Sequence, residues 1–267
     1  MVDHWQVWAL KYAERNARVR GDSFIFDDHP AAAHGMDYFI WLLQRDGRTI
    51  VVDTGYDGAE AERRERPILR HPGSALGAMG VDPATVDTVI VTHLHYDHAG
   101  GLDIFPNATF HLQVAEMAFA TGPCMCHDVL RLPFTGAHVA EMVMRLYAGR
   151  VVFHDGSGAV APGVRVHRVG GHSRGLQVVE VETPSGPLCL ASDAAHYYEN
   201  FLDRKPFPIV ADLEDMLTGF DRLLDLGRMP ERVIPGHDPL VTTRFAAHDQ
   251  VPFAWRLDPG PARPFLT

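Results

Sequence analysis

Four side chains that can bind a metal ion lie within six consecutive residues of the sequence: His93, His95, Asp97 and His98. They follow a short apolar run, 89–91, of the kind that forms a buried strand. Neutral imidazole and carboxylate groups are good ligands for zinc and similar divalent ions. Buried polar groups need partners, and a metal is the only local partner that this cluster has. The spacing therefore predicts a metal site at the end of a strand.

Because one loop cannot enclose a metal ion, further ligands are expected elsewhere in the chain. Three candidates each come just after an apolar run: His172, Asp193 and His237. The two histidines directly follow a glycine, Gly171 or Gly236. Strand ends that converge at one edge of a sheet are the expected place for a site in an α/β protein.

The elements that must position these ligands are short apolar runs bounded by turn residues, which predict buried strands. The predicted strands are 38–43, 49–52, 88–91, 164–169, 176–181, 188–191 and 232–234. Asp46 and Gly47 predict the turn of a hairpin over 37–53. Strands interleaved with helices indicate an α/β layered fold, in which a single central sheet and two packed sheets both remain open.

Helical periodicity is clearest near the C-terminus, where six apolar residues share one face: Leu213, Met216, Leu217, Phe220, Leu223 and Leu224. Asp212 is predicted to cap this helix and Gly227 to end it. A second helix is predicted over 137–147, with an apolar stripe of Val139, Met142, Val143 and Leu146. Both stripes predict core packing. The segment 22–36 reads as a loop, either at the surface or covering a substrate pocket.

Composition excludes several classes of protein. The chain has 267 residues, of which 46% are hydrophobic, and a formal net charge of −10 at pH 7. General disorder is excluded, nothing is apolar enough to span a membrane, and the acidic balance argues against a nucleic-acid partner. Residues 1–5 lack the features of a signal peptide, and the three cysteines cannot all pair, so we expect a cytoplasmic protein with reduced thiols.

No internal repeat or long linker interrupts the sequence, which indicates a single domain over residues 1–267. The sequence leaves the oligomeric state open, with a homodimer as one alternative.

The H-x-H-x-D-H motif, together with the later His, Asp and His, resembles the metallo-β-lactamase superfamily. The resemblance runs from the V-V-D-T-G segment at 51–55 to the P-G-H-D segment at 235–238. It implies an αββα sandwich of two mixed sheets flanked by helices. It also implies two metal sites, one held by His93, His95 and His172 and the other by Asp97, His98 and His237. Asp193 would bridge the two ions.

The implied cofactors are two zinc ions per chain, with iron, manganese or cobalt as alternatives. Two ions about 3.5–4 Å apart can share a water, lower its pKa to near 7, and so supply a bridging hydroxide for hydrolysis. Asp97 is then a candidate to carry the proton to the leaving oxygen. Asp53 is expected to support a ligand by hydrogen bonding.

Within the superfamily the chain most resembles the N-acyl-homoserine lactonases, the quorum-quenching lactonases. The segments 171–177 and 193–201 and the short C-terminus after Asp238 carry this likeness. That group places a tyrosine, which orients the lactone carbonyl, three residues after the bridging aspartate. This chain has His196 there and Tyr197 next, so either is a candidate for the role.

The resemblance thus implies a hydrolase that opens a small-molecule lactone. Hydrolysis of another ester, thioester or cyclic amide, and iron-dependent oxidoreduction, are the alternatives. Candidate walls of the substrate pocket are aromatic or thioether side chains: Phe24, Phe26, Met117, Phe119 and Phe207.

Overall fold

The computed structural model describes residues 4–263. The predicted domain bounds of 1–267, and residues 1–3 of the segment that argued against a signal peptide, extend outside that range. Within it the chain forms two sheets, of eight and five strands. Both sheets mix parallel and antiparallel pairs, because β-hairpins and crossover connections alternate along the chain.

The larger sheet has the spatial order β12-β13-β1-β2-β3-β4-β5-β6 and the smaller sheet the order β11-β10-β9-β8-β7. The strands of the larger sheet are β1 (Gln6–Arg15), β2 (Met36–Arg45), β3 (Arg48–Val52), β4 (Thr88–Ile90), β5 (Thr109–Gln113), β6 (Val151–His154), β12 (Ala246–Ala247) and β13 (Ala254–Arg256). Those of the smaller sheet are β7 (Ser157–Ala161), β8 (Val164–Arg168), β9 (Gln177–Thr183), β10 (Gly186–Ser192) and β11 (Val233–Pro235).

Helices cover the outer faces of the sheets. They are α1 (Gly58–Arg63), α2 (Pro72–Ala78), α3 (Tyr96–Ala99), α4 (Val114–Ala120), α5 (Asp128–Arg131), α6 (Gly136–Tyr147), α7 (Tyr198–Leu202), α8 (Leu213–Gly227) and α9 (Leu240–Arg244). Across residues 4–263, every helix is too short or too polar to cross a membrane.

Strand β2 shows why the larger sheet must be covered on both sides. Its alternating residues Phe39 and Trp41 belong to the core between the two sheets, whereas Ile40 and Leu42 belong to the core under α6. All four are at most 2% exposed. A strand buried on both faces needs a layer on each, since successive side chains point to opposite faces. The expected αββα sandwich is therefore confirmed.

The predicted hairpin turn and helix cap are confirmed, because the residue types at these positions determine the local conformation. Asp46 and Gly47 both have positive φ, 48° and 78°, in the tight turn between β2 and β3. Asp212 caps α8 by accepting a hydrogen bond from the N–H of Asp215. The same helix ends at Gly227, as predicted, and Arg228 after it takes the left-handed conformation.

Two side-chain predictions need correction. Leu213 is 46% exposed, so the apolar stripe of α8 enters the core only from Met216 onward. Phe26 is 99% exposed, so it is not a wall of any pocket.

The sequence did not predict strand β1, because Lys11, Glu14 and Arg15 interrupt its apolar pattern.

The carboxyl ends of β3, β4, β8, β10 and β11 meet at one edge of the sandwich. Residues 53, 92–98, 170–172, 193 and 236–237 follow these ends directly. The fold therefore brings every predicted metal ligand to this edge, as expected for an α/β site.

Candidate metal centre

The structure brings the seven predicted ligands together in buried clusters. One cluster is formed by His93, His95 and His172, and a second by Asp97, His98 and His237. Within each, the potential ligand atoms all lie within 4.8 Å of one another. These two groups are the ones that the resemblance implied.

Asp193 lies between the two groups and presents one carboxylate oxygen to each. Its Oδ1 lies 3.2 Å from Nε2 of His98 and 3.0 Å from Nε2 of His237. Its Oδ2 lies 3.1 Å from Nε2 of His172 and 3.9 Å from Nε2 of His93. A carboxylate in this position can bridge two cations, one on each oxygen.

The chemistry of the donors fits a metal better than it fits a hydrogen-bond network. Nε2 of His93, Nε2 of His98 and Oδ1 of Asp193 are buried, and within residues 4–263 they have no hydrogen-bond partner. Nδ1 of His95 lies only 2.8 Å from Nε2 of His172. Buried polar atoms left unsatisfied cost free energy, so these donors require a ligand. The nitrogen and oxygen donor set suits zinc or a similar divalent ion.

Electrostatics keep two of the histidine donors in the form that binds metal. Burial lowers the pKa of His93 and of His95 well below the ordinary value, which favours neutral imidazole. For His98, burial also lowers the pKa, but the Asp193 and Asp53 carboxylates outweigh it and raise the pKa overall. The negative charge around His98 therefore stabilises a cation at this position, either a proton on the ring or a bound metal ion.

Hydrogen bonds from the far side of the rings set their orientation. Nδ1 of His172 lies 2.7 Å from the carbonyl oxygen of Ile209, and Nδ1 of His237 lies 2.8 Å from that of Asp37. A carbonyl can only accept, so Nδ1 carries the proton and donates. Each Nε2 is thereby left free as a ligand, an arrangement common around protein metals.

Asp53 orients the ring of His98 in the same way, with a charged carboxylate as the acceptor. Its Oδ2 lies 2.7 Å from Nδ1 of His98, and its Oδ1 accepts the main-chain N–H of Thr92 at 2.7 Å. Asp53 is fully buried and has a φ of 61°, a left-handed conformation that is strained for a non-glycine residue. The supporting contact predicted for Asp53 is present.

Glu116 is a functional residue that the sequence did not reveal. It is fully buried in the first turn of α4, and its Oε1 accepts the main-chain N–H of Leu94 at 2.9 Å. Its Oε2 accepts the N–H of Gly175 at 3.0 Å and the hydroxyl of Ser173. The carboxylate therefore ties the loop of His93 and His95 to the loop of His172. A lone glutamate in a short helix gives no sequence signal for this contact.

The two candidates for orienting a carbonyl lie in different surroundings. His196 is 5% exposed on the cavity wall, with Nε2 2.9 Å from Oδ2 of Asp193 and its ring stacked 3.9 Å from Phe207. One of its ring nitrogens lies within 4.8 Å of a ring nitrogen of His172 and a carboxylate oxygen of Asp193, so His196 is a further potential ligand. The hydroxyl of Tyr197 instead donates to the carbonyl oxygen of Gly35 at 3.2 Å, and Tyr197 is not among the lining residues.

A cavity of about 290 Å³ opens beside the candidate ligands. Tyr38 and Phe207 form part of its wall, and the segment 22–36 contributes its two ends, Asp22 and Met36. A second cavity of about 260 Å³ adjoins it over His95, and its lining is mostly apolar, Phe119 included, with Arg64 and Arg66 among the exceptions. Phe24 is buried against Tyr197 instead, and Met117 is also buried outside both linings.

Sequence comparisons agree with this geometry. A sequence profile for the metallo-beta-lactamase superfamily matches residues 36–237. An N-acyl homoserine lactonase of Bacillus cereus is 27% identical over 237 residues, which cover 82% of this chain and 84% of the relative. An N-acyl homoserine lactonase of Azorhizobium caulinodans, AttM, is 30% identical over 191 residues, which cover 65% of this chain and 67% of the relative.

Solved structures show the same fold. An N-acyl homoserine lactone hydrolase with N-hexanoyl-L-homoserine bound at its catalytic metal centre aligns with a TM-score of 0.74 at 23% identity, over 90% of this chain and 95% of that one. A dizinc quorum-quenching lactonase in complex with its product aligns with a TM-score of 0.70 at 14% identity, over 100% and 97% of the two chains.

Proposed function

The chain belongs to the metallo-beta-lactamase superfamily, and from that premise we propose that it is a binuclear metal hydrolase that opens a lactone ring. The observation that carries the proposal is the position of Asp193, whose two oxygens face two separate groups of ligands. The relatives named N-acyl homoserine lactonases support a lactone of that class as substrate. The nitrogen and oxygen donors support zinc as the metal.

The proposed ligands are His93, His95 and His172 for one ion and Asp97, His98 and His237 for the other, with Asp193 shared. Bound ions would supply Lewis acidity toward the carbonyl and a bridging water with a pKa near 7, so that hydroxide is available at neutral pH.

The residues of the chain supply orientation and proton transfer. Hydrolysis adds one water across the ring C–O bond, so the leaving ring oxygen must gain a proton. Asp97 is 8% exposed and lines the cavity, which places a carboxylate where that proton can pass. Burial lowers the pKa of His196 to about 3, so its imidazole is neutral at physiological pH and carries one N–H. That N–H faces Oδ2 of Asp193, and it would become available to a substrate carbonyl when a metal takes that oxygen. We assign His196 the positioning of the carbonyl, because it lies on the cavity wall beside Asp193.

The proposal is tested by a pH-stat assay of the zinc-loaded protein on lactones, linear esters, thioesters and cyclic amides. We expect lactones, N-acyl homoserine lactones among them, to be hydrolysed with the highest kcat/KM. Hydrolysis of a thioester or linear ester with no turnover of any lactone would overturn the lactonase assignment and retain the hydrolase. Absence of any hydrolysis by protein with two bound metals would overturn both.

A further inference from the structure

Three arginines line the cavity beside the candidate metal centre: Arg15, Arg18 and Arg66. Within the described part of the chain, none of them forms a salt bridge. Arg20, in contrast, is paired with Asp27 at 2.7 Å and with Glu199 at 2.6 Å, although it is only two residues from Arg18. The arginines of the cavity are therefore cations that the fold itself leaves without a counter-charge.

Arg18 is the most constrained of the three. It is 9% exposed, which is rare for an unpaired arginine. Its Nη1 donates to the thioether sulfur of Met36 at 2.8 Å. Its Nη2 donates to the carbonyl oxygen of Asp22 at 2.7 Å and, in a long hydrogen bond of 3.4 Å, to the hydroxyl of Ser23. A thioether is a weak acceptor, and Nε has no hydrogen-bond partner in residues 4–263. A buried guanidinium bonded so incompletely costs free energy unless a ligand completes it.

Arg66 approaches the same cavity from the segment between α1 and α2. Its Nη1 donates to the hydroxyl of Tyr96, the residue between the ligands His95 and Asp97. Its Nε is buried and, in the described range, also has no hydrogen-bond partner. Arg66 therefore lies over the candidate metal-binding loop with an N–H group that lacks an acceptor among the described residues.

The acidic groups of the cavity do not balance these cations. The carboxylates that line it are those of Asp22, Asp97 and Asp193. Asp97 and Asp193 belong to the candidate ligand set, so bound metal would neutralise them. Oδ2 of Asp22 accepts the main-chain N–H of Val19 at 3.1 Å and is exposed there. The cavity therefore presents net positive charge to a ligand.

We propose that the substrate is a lactone that carries a carboxylate, bound by Arg18 and Arg66. This inference rests on the proposed lactonase function but replaces the uncharged N-acyl homoserine lactone with a lactone that carries a negative charge. The planar guanidinium matches a carboxylate through paired hydrogen bonds, and such charge-assisted bonds are about twice as strong as neutral ones. An apolar acyl chain would leave the same donors unsatisfied. The adjoining cavity receives the uncharged remainder of the substrate, because most of its lining is apolar, Phe119, Val129 and Leu132 included. Arg66 lines both cavities, and Arg64 in the second is paired with Glu60.

The kinetic test compares 5-oxotetrahydrofuran-2-carboxylate with its primary carboxamide, which has the same ring and nearly the same shape. We expect kcat/KM of the wild type to favour the carboxylate by about tenfold or more, since a charge-assisted hydrogen bond contributes that much. In R18M and R66M this ratio falls toward one, whereas R18K keeps part of it. The control R165M, on the exposed face of β8, keeps the wild-type ratio.

A wild-type ratio of one or less would overturn the inference, as would a ratio unchanged in both R18M and R66M. Thermal melting checks that each variant is folded. If removal of the buried Arg18 side chain prevents folding, R66M and R18K decide the outcome, because Arg66 is only half-buried.

A binding measurement separates this inference from the lactonase proposal. The probes are 3-oxocyclopentane-1-carboxylate and its carboxamide, ketones that cannot be hydrolysed, titrated calorimetrically into the metal-loaded protein. Tighter binding of the carboxylate that is lost in R66M supports the anion site even if no lactone is turned over. Equal binding of both probes overturns the inference even if lactones are hydrolysed. A carboxylate preference that the arginine variants retain also overturns it, since the metals alone would then explain the preference.

Discussion

Oδ2 of Asp53 lies 2.7 Å from Nδ1 of His98. The carboxylate thereby fixes the proton on Nδ1 and directs Nε2 of His98 toward Asp193. Residues that orient a metal ligand in this way contribute about 10- to 100-fold to metal affinity.

We therefore expect Asp53→Asn to weaken binding of one of two metal equivalents by about 10- to 100-fold and the other much less. Competition with a chromophoric chelator measures both affinities. Asp225→Asn, which removes an exposed carboxylate from α8, is the matched control and should retain both. Unchanged affinities in the Asp53 variant would contradict the supporting role.

Glu116 provides a second test, because its carboxylate joins the loop of Leu94 to the loop of Ser173. Glu116→Gln keeps the shape but replaces one acceptor oxygen with a donor, which leaves a buried N–H without an acceptor. We expect a loss of about 1–3 kcal/mol in the free energy of unfolding. Cobalt bound at the His93, His95 and His172 group should also show an altered visible spectrum, which a purely global loss of stability would not cause.

The control for this variant is Glu62→Gln, which changes an exposed glutamate on α1. A denaturant titration in which both variants match the wild type would show that Glu116 does not hold the two loops together.

The positioning role of His196 predicts a loss in turnover rather than in folding. His196→Ala should lower kcat for a lactone by about 100- to 1000-fold, the range found when one hydrogen-bond donor to a developing oxyanion is removed. Tyr197→Phe, which removes a hydroxyl that bonds to Gly35, should lower kcat less. Metal content measured in both variants shows whether His196 acts as a ligand instead. The reverse order of the two kcat values, at full metal content, would assign the role to Tyr197.

His111 predicts a pH dependence of stability outside the metal centre. Burial lowers its pKa to about 4, with a further contribution from His154, whose ring stacks on it at 5.2 Å. The unfolded chain, with an ordinary histidine pKa near 6.5, binds this proton more readily than the folded chain between pH 4 and 6.5. Stability from this group is therefore complete above about pH 6.5 and decreases as the pH falls toward 4.

Replacing the side chain in His111→Asn should reduce the decrease in unfolding free energy between pH 6.5 and 4 by on the order of 1–2 kcal/mol. Urea titrations across that range measure it, with His29→Asn, an exposed histidine, as the control. An identical pH profile in the His111 variant and the wild type would show that this ring remains accessible to protons.

How far the sequence predicts the structure depends on the kind of interaction. The candidate ligands were recognisable because metal chemistry limits the residue types that can serve. The turn at Asp46 and Gly47 was recognisable because positive φ limits the residue types in the same way. Glu116, Arg18 and Arg66 were not recognisable, because each acts on residues far away in the sequence. The conformation of Arg228 and the exposure of Phe26 likewise depend on tertiary packing that no local pattern contains.

We propose that side chains from separate strand ends bind two metal ions through one shared carboxylate, that of Asp193. The deciding measurement is metal content by mass spectrometry, after zinc loading and dialysis, in the wild type and in Asp193→Ala. We expect about two zinc ions per chain in the wild type and at most one in the variant. One ion or fewer in the wild type, or two ions retained in the variant, would contradict it.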